Sequence, residues 1–152
     1  ERIADASGTP VIVGRDVCAV AYQGRVGCFD AGSGTAHWVK PFSSGVGVGS
    51  DGKNVYAADE HGAVSAFTVD SGTVVWQNKQ LANRVLTTPV VLGNTVVVGD
   101  FEGYIHFLSR DDGALKARIR ADSSPVLPNP VVAGSNVIFQ TKSGTLIAVT
   151  SE

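Results

Sequence analysis

Four glycines, Gly24, Gly62, Gly103 and Gly144, mark the chain at intervals of 38, 41 and 41 residues, and the residues around them recur in phase. Fourteen positions before each stands Pro10, Val48, Pro89 or Pro130, and five positions after each stands Phe29, Phe67, Leu108 or Val149. Gly34, Gly72 and Gly113 follow at ten positions, and Trp38, Trp76 and Ala117 at fourteen. A period near 40 residues is the mark of a supersecondary unit that cannot bury its apolar surface alone and must stack on copies of itself. That requirement removes most folds open to a chain of 152 residues.

Each unit reads as four short strands. The first opens after the proline, whose missing N–H is tolerated at a strand start, as in Val11-Ile12-Val13 and Val90-Val91-Leu92. A turn such as Gly93-Asn94 leads to a second strand, Val17 to Tyr22 or Val96 to Gly99, and the anchor glycine supplies positive φ in the following hairpin. A third strand, Val26 to Asp30 or Ile105 to Ser109, is followed by a glycine turn and a fourth strand that carries the tryptophan. Runs apolar on both faces suit sheets covered on both sides by like sheets. The expected fold is all-β, a β-propeller of four-stranded antiparallel blades. The units fall at about 9–42, 43–81, 82–121 and 122–152, with 1–8 as an entering strand. The fourth unit stops after its third strand, at Val149-Thr150, so the chain is expected to be about four blades of a larger ring.

Composition supports this and narrows function. The chain has 24 valines and 18 glycines against 7% aromatics, which favours short strands over helices, and β-branched runs exclude the helical repeat arrays of similar period. Twelve Lys and Arg against 14 Asp and Glu, a net charge of −2, lack the basic footprint of a nucleic-acid binder. No apolar run reaches the roughly 18 residues of a membrane span. Methionine is absent even at position 1, so the chain is expected to be cut from something longer that holds any targeting segment.

Motifs that suggest chemistry are better explained by the repeat. Gly47 to Asn54 nearly fits the phosphate-cradling pattern, but Asn54 stands where a hydroxyl residue belongs and a strand follows where a helix is required. His37, His61 and His106 fall at different repeat offsets without metal-ligand spacing. Asp59 with Glu60, and Asp100 with Glu102, flank hairpin turns as solvating residues. No catalytic residue, cofactor site or metal site is expected. Cys18 and Cys28 lie on two arms of one hairpin. A two-residue turn would put them on opposite faces and a three-residue turn directly opposite each other; cross-strand spacing mostly exceeds a relaxed disulfide, so buried thiols are expected. The phased tryptophans are expected to pack blade against blade.

The pattern of Asp, two residues, Ser or Thr, Gly, three residues and Trp stands as Asp30-Ala31-Gly32-Ser33-Gly34-Thr35-Ala36-His37-Trp38, recurs from Thr68 to Trp76 with Thr68 in place of its Asp, and resembles the repeat of pyrroloquinoline-quinone-type propellers. Arg2-Ile3-Ala4-Asp5 leading to Thr9-Pro10, Ala19 to Gly24, Leu86 to Pro89, and above all Val98-Gly99-Asp100-Phe101-Glu102-Gly103-Tyr104-Ile105-His106, resemble one branch: the C-terminal half of the BamB family, lipoprotein subunits of the outer-membrane β-barrel assembly machinery. The resemblance implies an eight-bladed ring at the periplasmic face of the bacterial outer membrane, held by an N-terminal lipid anchor outside this chain. It implies a non-catalytic scaffold that binds the periplasmic domains of BamA and helps present unfolded outer-membrane proteins. Part of the family's partner-binding face matches Arg2 and Asp5, while Ser7 stands where relatives carry a second acid. The alternative is a fragment of a quinoprotein dehydrogenase, which would bring a quinone, calcium ligands and often adjacent cysteines; Cys18 and Cys28 are not adjacent.

Overall fold

A computed structural model of the chain describes residues 8–21 and 24–150. Among these all regular structure is β. The strands are β1 Val11–Val13, β2 Asp16–Val20, β3 Gly24–Asp30, β4 Ala36–Phe42, β5 Val48–Ser50, β6 Asn54–Ala58, β7 Val64–Thr68 and β8 Val74–Asn78. They continue as β9 Val90–Leu92, β10 Thr95–Gly99, β11 Tyr104–Ser109, β12 Leu115–Arg120, β13 Val131–Ala133, β14 Asn136–Gln140 and β15 Leu146–Thr150. They form antiparallel meanders in chain order, three sheets of four strands and a last one of three. Among the short first strands β1 adjoins β5 and β5 adjoins β9, and β9 also meets β14, so the sheets are stacked blades of a β-propeller.

The register follows from the turns. Asp59 N–H donates to Ala63 O and Asp100 N–H to Tyr104 O, which leaves three-residue loops whose last residues, Gly62 and Gly103, sit at φ +90° and +85°. This is the hairpin in which glycine takes the left-handed position. In the first hairpin Ala21 N–H likewise donates to Arg25 O, and Cys18 pairs directly with Cys28. The thiols expected there are instead a disulfide. Alternation from the hydrogen-bonded pair Ala21/Arg25 puts the cysteines at a narrow, non-hydrogen-bonded pair, where α-carbons come to about 4.5 Å. Theirs stand 4.1 Å apart, closer than the general cross-strand spacing suggested.

Three apolar layers lie between consecutive sheets. Cys18, Val26, Cys28 and Trp38 meet Val48, Val55, Phe67 and Val69 in the first. Tyr56, Val64 and Trp76 meet Val96, Val98 and Leu108 in the second, and Val97 and Ile105 meet Val137 and Phe139 in the third. The fourth strand of each complete sheet carries a bulge at one repeat position, leaving His37, Val75 or Lys116 as the extra residue. In the first two sheets the bulge delivers the next residue, Trp38 or Trp76, onto the neighbouring blade. Trp76 Nε1 donates to Arg110 O at 2.8 Å. Gly72 and Gly113 lie beneath the two indoles, where a β-carbon would overlap the ring. The expected blade-to-blade role of both tryptophans is therefore what the structure shows.

Candidate interaction site

The residues singled out for partner binding, Arg2 and Asp5, lie outside the described residues. The phosphate-loop-like segment is the β5–β6 turn: Asp51 Oδ1 accepts from Lys53 N–H and Asn54 N–H, and its Oδ2 from the Tyr56 hydroxyl at 2.8 Å. Burial pushes the Tyr56 phenol up to about 12, and the bond to Asp51 adds to the rise. His37 bonds Asp16 at 2.8 Å, and His61 is exposed beside Glu60. Among the described residues no cluster of three or more His, Cys, Asp or Glu is arranged to hold a metal ion.

One polar cluster departs from expectation. Asp100, read as a solvating turn residue, is fully buried. Its Oδ1 accepts from Glu102 N–H and Tyr104 N–H, holding the hairpin, and its Oδ2 accepts from Arg84 Nη1 at 2.8 Å and lies 2.7 Å from His106 Nε2. Burial alone would raise the Asp100 pKa, but the bonds from His106, Tyr104 N–H and Arg84 outweigh it and hold the carboxyl down at about 2. His106 is itself buried, and Arg84 also bonds Glu102 at 2.9 Å. The guanidinium groups of Arg84, Arg118 and Arg120 lie 5.9, 4.7 and 5.1 Å from the Tyr104 ring centre. The cluster ties the linker after β8 to the β10–β11 hairpin, two segments whose proximity the sequence does not announce. Its one sequence signal is a departure from the repeat: Tyr104 and His106 stand where the second unit has Ala63 and Ser65.

The sequence pattern of the family described as outer membrane protein assembly factor BamB matches residues 1–78 and 60–152, the whole chain between them. The chain belongs to the BamB family. A BamB from Bordetella pertussis is 48% identical over 150 residues, which cover 98% of this chain and 39% of that relative. The chain thus spans about two fifths of the curated BamB proteins it matches. The crystal structure of BamB from Moraxella catarrhalis superposes with a TM-score of 0.90 at 28% identity, over 97% of this chain and 44% of that one. A quinohemoprotein alcohol dehydrogenase from Comamonas testosteroni superposes at 0.65 with 21% identity over 78% of this chain and 21% of its own, a likeness of fold alone. The BamB relatives are named assembly factors.

Proposed function

We propose that this chain is part of a non-catalytic scaffold subunit of the outer-membrane protein assembly complex. It binds the periplasmic domains of BamA and assists insertion of β-barrel outer-membrane proteins, whose unfolded chains it helps present. The single observation that supports this is the BamB family match along the whole chain. The subunit sits at the periplasmic face of the outer membrane, its membrane contact made through an N-terminal lipid anchor outside this chain. A buried disulfide between Cys18 and Cys28 suits such an oxidising compartment. Nearly four blades within 44% of a BamB chain support a complete ring of eight.

A scaffold needs exposed backbone and charge rather than a reactive group. Outer blade strands offer unpaired N–H and C=O groups to an added partner strand, and the opposite charges of Arg2 and Asp5 tune partner choice and association rate. Asp5→Lys is expected to weaken capture of the BamA periplasmic domains in a pull-down with the circular dichroism spectrum unchanged. Undiminished capture removes Asp5 from the contact. The quinoprotein alternative rests on the shared fold; it predicts a cofactor absorbance when pyrroloquinoline quinone and calcium are added.

A further inference from the structure

The repeat supplies an internal comparison for the Tyr104 cluster. In β12, Lys116, Arg118 and Arg120 occupy the positions that Val75, Gln77 and Lys79 hold in the second unit and His37, Val39 and Pro41 hold in the first. Arg84 and His106 stand where the second unit has Ser43 and Ser65. There Gln77 simply bonds Ser65 at 3.1 Å, and Asp59 accepts the two turn N–H groups as Asp100 does. The second unit is thus built with Lys79 as the one cation at these positions, so Lys116, Arg118 and Arg84 are surplus to the architecture.

Their placement gives the surplus a shape. Arg118 pairs across the strands with His106 and Arg120 with Tyr104, so both project on the face turned toward the second sheet. Between β12 and the linker bearing Leu81 and Arg84 lies a groove of about 360 Å³. Lys116, Arg118, Arg84 and His106 line it together with apolar Leu81 and Leu115, and no carboxylate does. Arg84 is committed to Asp100 and Glu102. Among the described residues Lys116, Arg118 and Arg120 have no carboxylate within ion-pair distance; Arg120 bonds only the Asp122 carbonyl. β12 is the edge of its sheet and every residue in it is exposed. The sheets packed on both faces of this third sheet belong to this chain.

We propose that this groove and the free edge of β12 form a docking site for an extended acidic segment of a partner protein. The segment adds to β12 as a further strand and places carboxylates at alternate positions over Lys116, Arg118 and Arg120. Residues two apart on a strand are separated by about 6.6 Å, so an added strand with acids at that spacing meets successive cations, whereas a small anion meets one. Cross-strand opposite charges and backbone bonds then act together. The site shares no residue with Arg2 and Asp5 and does not rest on the reading of BamA as partner.

The test is fluorescence anisotropy with a labelled, end-blocked heptapeptide alternating Glu with Val and Thr, and a Lys-for-Glu peptide as control. The protein is expected to bind the acidic peptide and not the basic one. Arg118→Gln, which installs the residue the second sheet tolerates at this place, should weaken binding about fivefold, and Lys116→Glu with Arg118→Glu at least tenfold, while the distant Lys142→Glu changes nothing. Equal affinity in the groove variants overturns the proposal. So does self-association of those variants beyond that of the unsubstituted chain with peptide affinity intact, which would assign the cations to protecting an open strand edge. Groove-dependent binding to phosphatidylglycerol vesicles, with none to the peptide, would assign the site to a lipid surface and also overturn it.

Discussion

The indole N–H of Trp38 leaves its own sheet to donate to the carbonyl of Val69 in the next, 2.6 Å away, and the ring closes over Gly72. The first blade is thereby keyed to its successor by one side chain and the space left for it, and Trp76 over Gly113 repeats the device at the second. Trp38→Phe keeps most of the apolar contact but strands the Val69 carbonyl, and is expected to cost about 1–2 kcal/mol in urea denaturation. Gly72→Ala should cost more, because the residue sits at φ +68° and its new methyl would overlap the indole.

The pair Cys18 and Cys28, both without exposure, closes a short hairpin loop within the first apolar layer. Replacing both by Ala should lower stability by about 2–3 kcal/mol in the loop-entropy account. Thiol titration of the unfolded, unreduced protein should find no free cysteine; two equivalents per chain would contradict the bridge.

Asp100 gives the chain a dependence on acid. Its folded pKa, about 2, lies below the ordinary aspartate value of about 3.9. Its contribution is therefore fully present above pH about 4 and is lost as pH falls through about 2, amounting to about 2–3 kcal/mol. Asp100→Asn should remove the charge that Arg84 and His106 face and flatten that part of the curve of stability against pH. An unaltered acid limb in the variant would assign the loss to other carboxylates.

The outer face of the last sheet is apolar and open. Val131 and Leu146 are 61% and 68% exposed, whereas Val90 and Ile105, their counterparts one unit earlier, are 9% and 0% exposed against the neighbouring blade. The 152-residue chain by itself is expected to self-associate, and Val131→Lys with Leu146→Lys to return it to a monomer by light scattering.

The blade architecture was legible because its signals are local and repeated: Pro89 before β9, Gly103 in its turn and Trp76 after its bulge each act within a few residues. The hairpin register was less so, since Gly24 alone does not distinguish a two-residue turn from a three-residue one, and that choice decides whether Cys18 meets Cys28. The burial of Asp100 was signalled only by the departure of Tyr104 and His106 from the repeat. Its exposure depends on Arg84, sixteen residues back, folding over the hairpin, and on His106 turning inward from β11. Nothing in a turn acid beside Glu102 distinguishes it from Asp59, which keeps the turn bonds alone.

At the position of Trp38 and Trp76 the third sheet carries Ala117, which is exposed. Two of the three junctions are thus pinned by an indole, and the third relies on its apolar layer and on backbone bonds such as Thr88 N–H to the Pro128 carbonyl and Val126 N–H to the Asp100 carbonyl. Strength is graded around the arc, and under load the seam between the third and fourth sheets is the line along which it would rupture first.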